Sequence, residues 1–185
     1  MFRKIKYNTI TESNILNKIH KYIPIIKGES KKIGQNKLQS DLERYTSEDY
    51  LKNLIKEKVD VAVNEISNKY RFTNLPVTCE LIPFLQNHYK NRNISESGHF
   101  YYYDTGFMSW HTNSDVPCMR VYITYADEHN KSFFRYYDNK IKKVITDYDE
   151  KGINVREFDI TSNPPFLWHC IGSNCNRYSF GFRVN

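Results

Sequence analysis

From about Pro76 onward the sequence is a succession of short runs rich in aromatic and β-branched residues: VTCELIPF, HFYYYD, FMSWH, RVYITY, KSFFRYY, KKVITDYD, NVREFDI, FLWHCI and RYSFGFRV. Asn, Gly, Asp and Ser fall between them. The runs suit a pleated, half-buried surface and the separators supply turns, so each run is expected to be a strand. Many short strands at this spacing close into a sandwich or barrel. Composition agrees: only 39% of residues are hydrophobic but 15% are aromatic, so the apolar mass is carried by Tyr, Phe and Trp rather than by the long aliphatic runs of a helical bundle.

The first third follows a different period. Ile15, Leu16, Ile19 and Ile23 recur at three- and four-residue steps, with Thr9 and Glu12 in capping-box spacing before them and Pro24 as a stop. The polar stretch Gly28 to Asp41 reads as a loop, and its glycine spacing does not make a phosphate loop. A second, longer helix is expected over Ser47 to Tyr70, where Leu51, Ile55, Val59, Val63, Ile66 and Tyr70 form one stripe suited to packing on a sheet. The chain is therefore read as one domain over 1–185, with helical support in 1–75 and a β core in 76–185.

No apolar segment has the length of a signal peptide core or a membrane span, which predicts a soluble, cytoplasmic protein with no membrane partner. Cys79, Cys118, Cys170 and Cys175 lack a secreted-protein spacing and are expected as free thiols. Cys170 and Cys175 with His169 fall short of a zinc set, because strand alternation turns Cys170 away from His169. The net charge of +6 suits an anionic partner, whether nucleic acid, a phosphorylated metabolite or a dicarboxylate, without choosing among them.

The chemistry-bearing residues cluster in the β half. In WHTNSD, His111 and Asn113 share a strand face and Asp115 shares that parity, although Asn-Ser-Asp-Val-Pro marks a turn. His169 lies in FLWHCI. Arg177 and Ser179 follow in NRYSFGF across the turn-like GSNCN, so His169 and Arg177 are expected on neighbouring antiparallel strands. Trp110 and Trp168 each precede one of the histidines and, by alternation, face the helices.

The ordered set WHTNSD, WHC and RYS, over roughly residues 98–185, resembles the 2-oxoglutarate and iron(II)-dependent oxygenases of the prolyl-hydroxylase-like kind. That resemblance implies a mainly β fold with N-terminal helices: a double-stranded β-helix, jelly-roll and cupin-like. It implies a dioxygenase that hydroxylates an unidentified substrate with Fe(II), 2-oxoglutarate and O2. By the same resemblance His111 and His169 are metal ligands, Arg177 holds the distal carboxylate of 2-oxoglutarate with Ser179 beside it, and Tyr101 lies against the cosubstrate, with Tyr103 at the same parity.

The family pattern has an acid where this chain has Asn113. Three readings follow: Asp115 loops back as the carboxylate, Asn113 ligates through its amide oxygen, or the metal is lost and the fold kept. The alternatives to the oxygenase are accordingly a non-catalytic jelly-roll binding module and a cupin-like metal enzyme that does not use 2-oxoglutarate. Arg156 is expected to be structural, and Arg120 is open between substrate contact and salt bridge.

Overall fold

The computed structural model describes residues 2–7, 9–34, 39–59, 61–62, 66–73 and 75–185. In chain order the elements are β1 (Phe2–Ile5), α1 (Thr9–Glu29), β2 (Lys31–Ile33), α2 (Gln39–Tyr45), α3 (Glu48–Lys56), β3 (Ser67–Arg71), α4 (Pro76–His88), β4 (Ile94–Tyr102), β5 (Gly106–His111), β6 (Cys118–Ala126), β7 (Ser132–Asp138), β8 (Lys143–Tyr148), β9 (Gly152–Ile160), β10 (His169–Ser173) and β11 (Arg177–Val184). No helix among the described residues is long and apolar enough to cross a membrane.

The strands form two facing sheets. One runs β1-β9-β6-β11-β4 and the other β5-β10-β7-β8, and β3 bridges them by pairing with both β4 and β5. Every pairing is antiparallel. The chain alternates between sheets as it winds, which makes a jelly-roll double-stranded β-helix.

Alternation along the strands sorts side chains into three layers. Val121, Ile123, Val155, Tyr178, Phe180 and Phe182 face outward from the larger sheet against Ile15, Ile19 and Ile26 of α1 and Val77, Leu81 and Leu85 of α4. Tyr102, Met108, Phe134, Phe158, Ile160 and Ile171 fill the space between the sheets. Trp110, Trp168 and Cys170 face outward from the smaller sheet and pack on Leu51 and Leu54 of α3. The outward orientation expected for both tryptophans and for Cys170 is therefore the one observed.

Four local expectations are corrected. VTCELIPF is the body of α4, not a strand: Pro76 occupies the first turn, where a missing N–H costs nothing, and Val77, Leu81 and Leu85 bury one helical stripe. The helix expected over Ser47 to Tyr70 is α3 alone, ending at Lys56, and Tyr70 belongs to β3. Lys58 at φ 52° lies beyond the helix end in the left-handed region. Pro24 does not stop α1, which continues to Glu29, and the expected loop contains β2 and the start of α2. Val63 of the expected stripe, residues 35–38 of the expected loop and the side chain of Thr9 lie outside the described residues.

A buried ionic cluster ties the sheets together. Asp149 follows β8 in the smaller sheet and is fully buried, yet its carboxylate accepts from Arg156 Nη1 of β9 at 2.5 Å and Arg177 Nε of β11 at 2.9 Å, both in the larger sheet. Ser132 Oγ of β7 donates to the same carboxylate at 2.5 Å.

The only tryptophans in the chain are Trp110 and Trp168, both packed with Leu51 and Leu54. Leu51→Ala should cost about 2–5 kcal/mol in denaturant unfolding. It should also shift the native tryptophan emission to the red as α3 loosens. An unchanged emission maximum would count against this packing.

Candidate functional site

A cavity opens between the sheets, lined by His111, His169, Arg177 and Ser179 together with the aromatic walls Phe100, Tyr102, Tyr122, Phe134 and Phe158. Its volume is about 20 Å³, room for about one water molecule, so any larger ligand requires the aromatic walls to move.

The two histidines converge because of a strand irregularity. His169 pairs with His111 while Ile171 pairs with Met108, so β5 carries one extra residue between Met108 and His111. The bulge lets Met108 and His111 both face inward while Trp110 faces out. The imidazole centroids lie 4.1 Å apart. Each ring gives its Nδ1–H to a carbonyl two residues earlier, His111 to Ser109 and His169 to Leu167, both at 2.9 Å. A carbonyl can only accept, so the proton sits on Nδ1 and Nε2 keeps its lone pair. Burial, followed by the neighbouring His169, holds His111 well below its usual pKa, and burial pushes His169 down to about 4. Both rings are neutral near pH 7, the form that ligates a metal.

Asn113 follows in a left-handed conformation, φ 55°. Asn tolerates that region better than most residues. Its backbone N–H donates to Ala62 O at 3.0 Å, and its side-chain amide meets His169 Nε2 at 3.1 Å. Rotating the amide by half a turn would put its oxygen at the same place. Asp115 is exposed in the following turn, so of the two oxygens considered from sequence, the fold brings Asn113 to the histidines and leaves Asp115 outside.

Arg177 and Ser179 both reach the cavity, as their shared parity predicts, but His169 and Arg177 are not on neighbouring strands as expected: β10 pairs with β5 and β7, and β11 with β4 and β6, so the two residues face each other from opposite sheets. Arg177 is 2% exposed and lies over the Tyr102 ring at 5.3 Å. Its Nε is taken by Asp149, its Nη2 lies 3.4 Å from Thr124 Oγ1, and its buried Nη1 has no partner among the described residues. Tyr101 is not in the cavity. It points to the outer face of β4, stacks on Tyr178 at 4.8 Å and donates to Asn176 Oδ1 at 2.7 Å, and its neighbour Tyr102 occupies the inner face. Tyr103 donates to Asn68 Oδ1 at 2.9 Å. Arg156 is structural, bonded to Asp147 and Asp149.

Asp149 was missed from sequence. It reads as one of several acids in TDYDEKG, and only the three-dimensional meeting of β8, β9 and β11 reveals its role.

Among the described residues no three His, Cys, Asp or Glu side chains form a metal cluster. A cation here would rest on two imidazole nitrogens and the Asn113 amide, a neutral set. The donor chemistry fits a divalent transition ion, with lower affinity than a set containing a carboxylate. The orphaned Arg177 Nη1 fits one carboxylate oxygen.

The Asp149 cluster gives a pH prediction. Burial opposes ionisation of Asp149, but the charges of Arg177 and Arg156 prevail and hold its carboxyl well below the usual range. A depressed folded pKa adds stability above the unfolded value of about 3.9 and loses it as pH falls through the folded value. Asp149→Ala should cost about 3–5 kcal/mol at pH 7, and the gap from wild type should narrow steadily as unfolding is measured below pH 4.

No family model and no curated protein matches the sequence. Among solved structures, the fold is similar to that of a Pseudomonas putida prolyl-4-hydroxylase at 9% identity and a TM-score of 0.56, covering 100% of this chain and 91% of that one. A 2OG-Fe(II) oxygenase family oxidoreductase from Burkholderia pseudomallei matches at 8% identity and a TM-score of 0.45 over 98% of this chain and 93% of that one. The viral collagen prolyl hydroxylase of Paramecium Bursaria Chlorella virus-1 matches at 13% identity and a TM-score of 0.40 over 86% and 97%. At such identities the likeness is one of fold: this chain has the double-stranded β-helix of the Pseudomonas enzyme.

Proposed function

We propose that the chain is a non-haem iron oxygenase that hydroxylates an organic substrate with 2-oxoglutarate and O2. The observation that carries this reading is the pair of neutral, Nδ1-protonated imidazoles brought within 4.1 Å of each other by the β5 bulge, with the Asn113 amide against one of them. His111, His169 and the amide oxygen of Asn113 would hold the iron. Bound iron with a 2-oxo acid supplies an O2-dependent oxidation in which the acid loses CO2 and each product gains one oxygen atom.

The remaining work belongs to the chain. Arg177 Nη1 and the Ser179 hydroxyl receive the carboxylate of the 2-oxo acid. The aromatic walls exclude water, which strengthens every polar contact inside. The Ser109 and Leu167 carbonyls fix ring orientation, so that both Nε2 atoms keep facing the cavity.

One observation favours a second reading. Asp149 already neutralises Arg177, and the cavity as it stands has room for about one water, as in a jelly-roll binding module without a cosubstrate. The two are separated by titrating anaerobic, Fe(II)-loaded protein with 2-oxoglutarate. The oxygenase gives a weak visible charge-transfer band that is absent in His111→Ala, whereas protein that retains no iron and gives no band is a binding module.

The neutral ligand set makes a quantitative prediction. Asn113→Asp adds a carboxylate and should tighten Mn(II) or Fe(II) binding by at least about tenfold, read by metal titration. Asp115→Asn should leave it unchanged. The reverse pattern would assign the third ligand to Asp115.

A further inference from the structure

The cavity has room for about one water, so a ligand reaches the histidines only if part of the wall yields. Its rings Phe100, Tyr102, Tyr122, Phe134 and Phe158 stand on β4, β6, β7 and β9, each of them paired on both sides. Displacing any of these strands breaks two ladders. The edge strand β1 is different, because its four residues pair with β9 alone.

Alternation along β1 turns Arg3 toward Glu157 and Ile5 into the layer under α1 and α4, and turns Phe2 and Lys4 across the gap to the smaller sheet. Phe2 stacks on Tyr136 at 4.4 Å and on Phe134 at 5.5 Å, both in β7, and Lys4 Nζ lies 3.5 Å from Asp147 Oδ1 of β8. The strand is thus a strap, with its backbone on one sheet and two side chains resting on the other. Phe134 in turn stacks on His169 at 5.4 Å, so ring follows ring from Phe2 to the paired histidines. Beside Phe2 lies a groove of about 420 Å³, lined by Phe2, Tyr136, Pro165 and Leu167 among others. Tyr136 is the strand partner of His169, and the Leu167 carbonyl accepts its Nδ1–H. Phe2 and Tyr136 face the groove and Phe134 faces the cavity, so the partition between the two consists of side chains.

We infer that the way into the cavity leads from this groove and that Phe2 is its gate: β1 swings off the smaller sheet, Phe134 loses the ring packed on it, and the ligand passes to His111 and His169. What holds the strap to the smaller sheet is two ring stacks and one partly exposed ion pair, which adds little. A strand bonded on one side opens locally, without the sheets coming apart. Once the strap closes, the same rings shut water out. The gate stands on the arrangement of the rings, and only the identity of what passes it, a 2-oxo acid and a substrate, rests on the oxygenase reading.

Access is read with diethyl pyrocarbonate, a small reagent that acylates a neutral imidazole at its unprotonated nitrogen, on metal-free protein in EDTA, with each histidine followed by peptide mass spectrometry. His129, 55% exposed, reports free reaction. His99, buried against Phe72 and Phe180 with its ring nitrogens engaged by Glu96 and the Gly181 N–H, reports opening of the whole fold. In wild type, His111 and His169 should react more slowly than His129 but at least about tenfold faster than His99. Phe2→Ala should speed both by at least about tenfold again and leave His99 unchanged. The gate is overturned if His111 and His169 are as slow as His99 in wild type, if Phe2→Ala leaves their rates unchanged, or if His99 accelerates with them. Since no metal is present, failure of the iron site would leave these outcomes unaffected and would appear in metal titration instead.

Discussion

The carboxylate of Asp149 is the point on which the two sheets depend. It is fully buried between Arg156 and Arg177 of the larger sheet, while its own backbone pairs with Ser132 of the smaller one. An ion buried alone would cost several kcal/mol, but here each charge meets a partner with hydrogen-bond geometry. The cluster fixes the spacing of the sheets at the end where Arg177 enters β11, and so fixes the depth of the cavity. It also consumes much of the positive charge that would otherwise attract a ligand to Arg177.

At the other end of the cavity the constraint is a backbone irregularity. One extra residue in β5 changes which side chains face inward, setting His111 opposite His169 and turning Trp110 onto α3. The same displacement brings Asn113, in a left-handed conformation, against His169. The donor set is neutral, two imidazoles and an amide.

The aromatic runs made the strands legible, because a two-residue alternation with turn residues between runs has few other solutions. The order His111, His169, Arg177, Ser179 was legible in part: all four line the cavity, but His169 and Arg177, expected on one hairpin, lie on β10 and β11 in opposite sheets and meet across the cavity, because the chain crosses between sheets at each turn of the jelly roll. What failed was local sequence of mixed character. VTCELIPF is rich in β-branched residues, but its Pro76 and the 77–81–85 stripe belong to α4. The apolar spacing after Ser47 continued past Lys56 by coincidence, hiding β3. Tyr101 and Tyr102 are adjacent tyrosines, and only the observed register assigns the inner face to Tyr102. Asp149 carried no sequence signal, because its significance lies in which strands meet around it.

The central claim is that His111 and His169 form one metal centre. Pulsed electron paramagnetic resonance of Mn(II)-loaded protein reads it directly, through the coupling of imidazole nitrogens to the ion. The account predicts couplings from two imidazoles, one of which disappears in His111→Ala and the other in His169→Ala. A spectrum of fully hydrated Mn(II), with no nitrogen coupling, would contradict it.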